Sequence, residues 1–300
     1  MTAGTLPGIG FGLGAAFCQS VFYLFTRRFV SRTGQTPLLL LVVSPVLMGA
    51  ASVALLLVLR PRHLPPLDTY AGPLVRAALF YLAAQFGLFS VLRQVESSRV
   101  APLLGGKILV LAVLAVILTR QALGPLQWLA VGLSAGAAWL LNEAGGRVPV
   151  RCLVALALTI VGYCLSDLCI TELVKRLAGT APSAPLTGAA LTYLLCAALT
   201  LPFAFRREAR DWRVWTLAVP CALAWFAAMC FLYACFGLIG VVFGNIVQAT
   251  RGILSVALGW SVAHFGHTHI EAHVSRGVFW RRLAGAALML AAVALYLCAR

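Results

Sequence analysis

Two basic residues stand inside otherwise apolar sequence: Lys107 in APLLGGKILVLAVLAVIL and Arg251 in GNIVQATRGILSVALGW. A charge at the middle of a bilayer costs roughly 2.5–3.5 kcal/mol on insertion scales, so each of these needs a partner or a use. They occupy matching places in the two halves of the chain, an arrangement suited to holding something negatively charged between the halves. Around Arg251, the residues Asn245, Gln248 and Ser255 recur at helical spacing and form one polar stripe. Such a stripe either lines a cavity or makes hydrogen bonds to neighbouring helices. Asp167 is the one acid well inside an apolar run, with Tyr163 and Ser166 on its face. It can pair with Lys107 or Arg251, balance charge, or take up and release a proton. Gln19 and Gln85 sit in the middle of two further apolar runs. The candidate substrate-binding set is therefore Lys107, Arg251, Gln248, Asn245, Gln19, Gln85 and Tyr163, with Asp167 for coupling or charge balance.

These residues need apolar elements around them, and the composition supplies little else. Hydrophobic residues make up 62% of the 300 and charged residues 10%, with a mean hydropathy of +0.96. A soluble domain carries about 25% charged residues. The chain therefore belongs in a bilayer, which only helices or closed barrels can span. Its apolar runs are continuous and lack polar-apolar alternation, so helices are expected. Ten spans follow, at about 8–30, 37–59, 70–92, 99–119, 125–142, 152–174, 186–205, 214–236, 238–263 and 278–298. Only Phe236-Gly237-Leu238-Ile239-Gly240 divides the eighth from the ninth. The first is too long for a signal peptide and reads as a retained helix.

The formal charge of +15 is dispersed along the flanks of the spans. Arg27, Arg28 and Arg32 follow the first, Arg206, Arg207, Arg210 and Arg213 follow the seventh, and Arg276, Arg281 and Arg282 precede the last. Arginines there mark the cytoplasmic side and meet anionic headgroups, whereas nucleic acid would need one basic face. Their distribution sends both termini outward. Arg76 lies nearer a helix end and is expected to snorkel, while Glu172 and Asp211 read as interfacial. The nine cysteines all fall in apolar segments, as small hydrophobes do.

His264, His267, His269 and His273, with Glu271, form a histidine-rich link. Their spacing matches no established zinc site, and a membrane-edge loop tolerates histidine. The motifs HExxH and GxxxxGK[ST] are missing, and no paired catalytic carboxylates stand out. No catalytic residue, metal site or cofactor is expected. Without an ATP site, uphill movement of a solute would draw on an ion gradient or on exchange.

The two apolar runs that carry the cations are each followed by a polar link and a small-residue helix, GPLQWLAVGLSAGAAWLL and VFWRRLAGAALMLAAVALYL. Five spans in each half would make the halves enter the membrane in opposite senses, the inverted-repeat plan of secondary transporters. The passage VESSRVAPLLGGKILVLAVLAVILTRQALGPLQWLAVGLSAGAAWLL resembles the repeat unit of the EamA-type branch of the drug/metabolite transporter superfamily, and RRLAGAALMLAAVAL looks like its second copy. The resemblance implies an all-α integral membrane protein with ten transmembrane helices as two inverted five-helix repeats, 1–146 and 147–300. It implies a multi-pass protein of the cell membrane, of bacterial cytoplasmic type, with both termini in the cytoplasm, opposite to the arginine count. Gly105-Gly106-Lys107 stands where that family often has a proline. Arg120-Gln121 and Gly266-His267 stand where it often has Gly-Glu, so no role passes from that glutamate. Sugar-phosphate translocators, distant relatives, are similar in placing cations at these two helices.

The expectation is thus a secondary transporter working by alternating access on a small anionic or zwitterionic metabolite bound at the midplane between repeats. Its partners are that small molecule, the lipid bilayer, and a coupling proton or exchanged solute; nucleic acid is not among them. The alternatives are an exporter of amphiphilic or cationic compounds, with Trp225, Phe226, Tyr233 and Tyr163 lining its cavity, and a lipid-headgroup translocase component.

Overall fold

A computed structural model describes residues 4–61, 64–95, 148–178, 183–205, 209–264 and 275–298, with part of 100–114 and isolated positions in 124–140. Among them the regular structure is helical: α1 (Thr5–Thr33), α2 (Leu40–Leu59), α3 (Leu67–Leu92), α4 (Val150–Arg176), α5 (Ala184–Thr200), α6 (Trp212–Ala249), α7 (Arg251–His264) and α8 (Arg276–Cys298). About half of the fourth and fifth expected spans, and the histidine link beyond His264, lie outside the described residues. Six helical stretches among the described residues are long and apolar enough to cross a membrane.

The stretch through α6 and α7 covers Trp212–Val262, 51 residues. A straight helix of that length would run about 75 Å, far beyond the roughly 30 Å hydrocarbon core. It does not run straight. Gly240 adopts φ 76° and ψ 167°, a conformation that interrupts the helix. A Cβ added at Gly244 would meet the Phe236 ring at 2.7 Å, and one at Gly12 would meet both Val247 at 2.7 Å and Cys235 at 3.2 Å. In a straight helix positions 235 and 247 lie about 18 Å apart. The stretch is therefore a hairpin, split within the segment that the sequence marks as the divide. Residues 212–239 form one arm; 241–249 and α7 form the other.

The exterior is apolar, and polar residues are buried within the largely apolar core, as suits lipid surroundings. Leu57, Val58, Leu158 and Phe205 are exposed, whereas Gln19, Gln85, Thr159, Asp167, Asn245 and Gln248 are buried. Buried hydroxyls turn back to their own helices, as Thr26 does to Phe22 O and Ser52 to Met48 O. Three helix pairs dominate the packing: α1 on α6, α3 on α4, and α2 on α5. Each has a glycine in the seam, where backbones approach closely: Gly8 and Gly12 against Ile239 and Val247, Gly162 against Ala84, and Gly49 against Ala197. Arg282, expected as a flanking charge, is buried.

Candidate functional site

Lys107 follows a tight 3-10 turn, Leu104–Gly106, and its backbone N–H donates to Leu104 O. Its ammonium lies 2.5 Å from Asp167 Oδ2 and 5.5 Å from the centre of the Tyr163 ring. Asn245 Nδ2 donates to the same carboxylate oxygen at 2.7 Å. Cys164 Sγ donates to Lys107 O at 3.3 Å. Helix α4 thus holds this lysine by both its backbone and its side chain.

Arg251 begins α7 directly after a second interruption, at Thr250, whose N–H and hydroxyl both turn to Val247 O. Its guanidinium donates from Nη1 to Gln19 Oε1 and from Nη2 to Leu104 O, each at 2.9 Å. Its Nε is buried without a partner. The Ser20 hydroxyl lies 3.2 Å from Arg251 O, and Ser255 Oγ donates to Ser20 Oγ at 3.0 Å. No carboxylate among the described residues lies within ion-pair distance of Arg251.

Lys107, Asp167 and Arg251 are each at most 4% exposed. Two cations and one anion leave one positive charge uncompensated. Lys107 has its counterion, but among the described residues Arg251 has only neutral oxygens. Burying an ion costs several kcal/mol, and an unmatched one keeps that cost.

Lys107, Asp167, Arg251, Gln19 and Tyr163 line one cavity, which encloses about 20 Å³. That is room for about one water. Much of the remaining lining is aromatic: Tyr81, Tyr193, Trp225 and Tyr233. Trp225 Nε1 donates to Tyr193 OH at 3.3 Å, and Tyr233 OH donates to Thr192 Oγ1 at 2.9 Å. Tyr163 OH donates to Gln85 Oε1, while Gln85 Nε2 donates to Tyr81 OH at 3.2 Å.

The sequence-derived set therefore divides. Gln85 is not on the cavity wall but behind it, tying Tyr163 to Tyr81. Asn245 holds Asp167, and Ser255 reaches Ser20, so part of the polar stripe serves hydrogen bonding between helices. Gln248 is buried with Nε2 unpartnered. Phe226 packs edge-on against Tyr193, with ring centres 5.9 Å apart, behind the wall that Trp225 and Tyr233 form. Sequence reasoning passed over Tyr81 and Tyr193. The first could have been found, since Tyr81 and Gln85 are four residues apart on one helix face. Arg76, expected to snorkel, pairs with Glu172 at 3.1 Å near the membrane edge, and Arg176 pairs with the same carboxylate.

Residues 6–143 match the EamA-like transporter family. No curated protein matches the chain. One of the solved structures similar to it, described only as the crystal structure of a protein, has a TM-score of 0.60. It covers 98% of this chain and 96% of the other at 18% identity, which shows a shared fold and nothing about activity. The apolar helices and this match together make the chain a multi-pass membrane protein that is similar over residues 6–143 to the EamA-like transporter family.

Proposed function

We propose that the chain is a secondary transporter of ten helices in two inverted repeats, 1–146 and 147–300, that carries a small anionic or zwitterionic metabolite by alternating access. Packing supports the repeat plan. If the second half repeats the first five spans later, the contact of the first span with the eighth maps onto that of the sixth with the third. The second and seventh map onto each other. Those are the three dominant pairs, α1 on α6, α3 on α4 and α2 on α5. All three join one half to the other, so rocking of the halves would shear every major seam around the buried charges.

The observation that carries the substrate class is Arg251, buried with no counterion among the described residues. An incoming anion would supply the missing charge and release the cost of its isolation. Gln19 and Gln248 are the neutral partners. Asp167 balances Lys107 while the cavity is closed, and with Asn245 it would hold that lysine through the transport cycle. A coupling proton or an exchanged solute would provide the driving force.

The aromatic wall is the one feature that favours the reading as an exporter of cationic amphiphiles, since rings attract cations. The uncompensated positive charge opposes it. Uptake into proteoliposomes of metabolites sorted by charge distinguishes the two. Anions should be carried by the wild type and lost in Arg251→Gln. Carriage of cations that improves in that variant would reject the proposal.

A further inference from the structure

We infer that the substrate is an amphipathic monoanion: one net negative charge read by Arg251 alone, attached to an apolar body of ring size. This rests on the anion reading above and narrows it.

The charge number comes from how the buried ions are shared. Lys107 meets Asp167 at 2.5 Å, and Asn245 braces the same oxygen at 2.7 Å. The ammonium also lies over the Tyr163 ring at 5.5 Å, so its charge is already matched. Arg251 is different, because its two bonds end on an amide oxygen and a backbone carbonyl, and its Nε has no partner. One negative charge neutralises this cavity. A second would have to separate Lys107 from a carboxylate that is itself buried and would then stand alone.

The body comes from the aromatic lining. Trp225, Tyr81, Tyr193 and Tyr163 line the cavity, and all four of their hydroxyl and indole groups bond among themselves or to Gln85. Their polar tips are thereby occupied, which leaves ring surface for the cavity. Aromatic partners prefer tilted or offset contacts at 4.5–7 Å between centres. The wall is already built of such contacts, with Tyr81 at 6.1 Å from Trp225 and at 5.2 Å from Tyr193. A ring entering between them would exchange like contacts for like. A short aliphatic anion would satisfy Arg251 and make none of these ring contacts.

The test is a thermal-shift series on the full chain purified in detergent, with benzoate, acetate, phthalate, L-phenylalanine and benzylamine, at mildly alkaline pH where phthalate is a dianion. A ligand that binds only the folded protein raises Tm in a concentration-dependent way. Benzoate should raise Tm more than any other probe, and Arg251→Gln should abolish that rise. In Asp167→Asn, which leaves Lys107 without its counterion, phthalate should overtake benzoate. Equal shifts from acetate and benzoate would overturn the ring-sized body while leaving an anion site. Phthalate or L-phenylalanine equalling benzoate in the wild type would overturn the single charge. A shift from benzylamine, or from no anion at all, would overturn the anion reading itself.

Discussion

Arg251 and Lys107 meet at one backbone oxygen. Leu104 O accepts the Arg251 guanidinium at 2.9 Å and the backbone N–H of Lys107. Each cation follows a local break in its helix, the 3-10 turn at Leu104–Gly106 and the interruption at Thr250. Loosened helical turns offer carbonyls that a regular helix would turn to its own N–H groups. The two halves of the chain are thus joined where their charges lie.

Arg251→Gln should weaken binding of an organic anion about 10–100-fold, since bonds to a charged group contribute about 1.5–3 kcal/mol. The same change removes an uncompensated buried charge, so the Tm of the empty protein should stay level or rise. Affinity and Tm measured together check both halves of this expectation.

Lys107→Met alone should be costly, because it leaves Asp167 buried with only Asn245 as partner. Loss of one member of a buried pair costs about 3–5 kcal/mol, whereas replacing both by neutral residues of similar size is often close to neutral. Lys107→Met combined with Asp167→Asn should recover most of the lost stability. Unfolding in detergent of the two single variants and the double one measures the coupling.

Gly240→Val should destabilise the hairpin by about 1–3 kcal/mol, the usual cost of a backbone region open almost only to glycine. Its φ of 76° and ψ of 167° put it there, with free space where a side chain would go. The penalty would come from the backbone and not from a clash. A lower unfolding midpoint with an unchanged helix signal is the expected result.

Gly12→Leu and Gly10→Leu form a matched pair on α1. A Cβ at Gly12 would come within 2.7 Å of Val247 and 3.2 Å of Cys235, whereas nothing lies within 4 Å of one at Gly10. The first substitution should wedge α1 away from the hairpin and lower the yield of folded protein. The second should leave it unchanged. Size-exclusion profiles of the two variants show which holds.

Much of this was legible in the residues themselves. Lys107 and Arg251 stood out because charge inside an apolar run is expensive, and that expense is what keeps both buried here. The divide between the eighth and ninth spans was readable from Gly237 and Gly240, since only a glycine takes the backbone that Gly240 adopts. The Lys107–Asp167 pair was one of two options in sequence, because pairing depends on which helices touch and not on their periodicity. That Gln85 ties Tyr163 to Tyr81 was not readable for the same reason: an amide in the middle of a span looks alike whether it faces a ligand or two tyrosines. The aromatic wall was only partly visible, since tyrosines and tryptophans in apolar runs are also common packing residues.

The account stands most directly on which cation receives the anion. Thermal shifts by benzoate and acetate should be compared in the wild type, in Arg251→Gln, and in the double variant Lys107→Met with Asp167→Asn. The anion-induced shift should persist in the double variant and vanish in Arg251→Gln. A shift that survives without Arg251, or disappears with the Lys107–Asp167 pair, would contradict it.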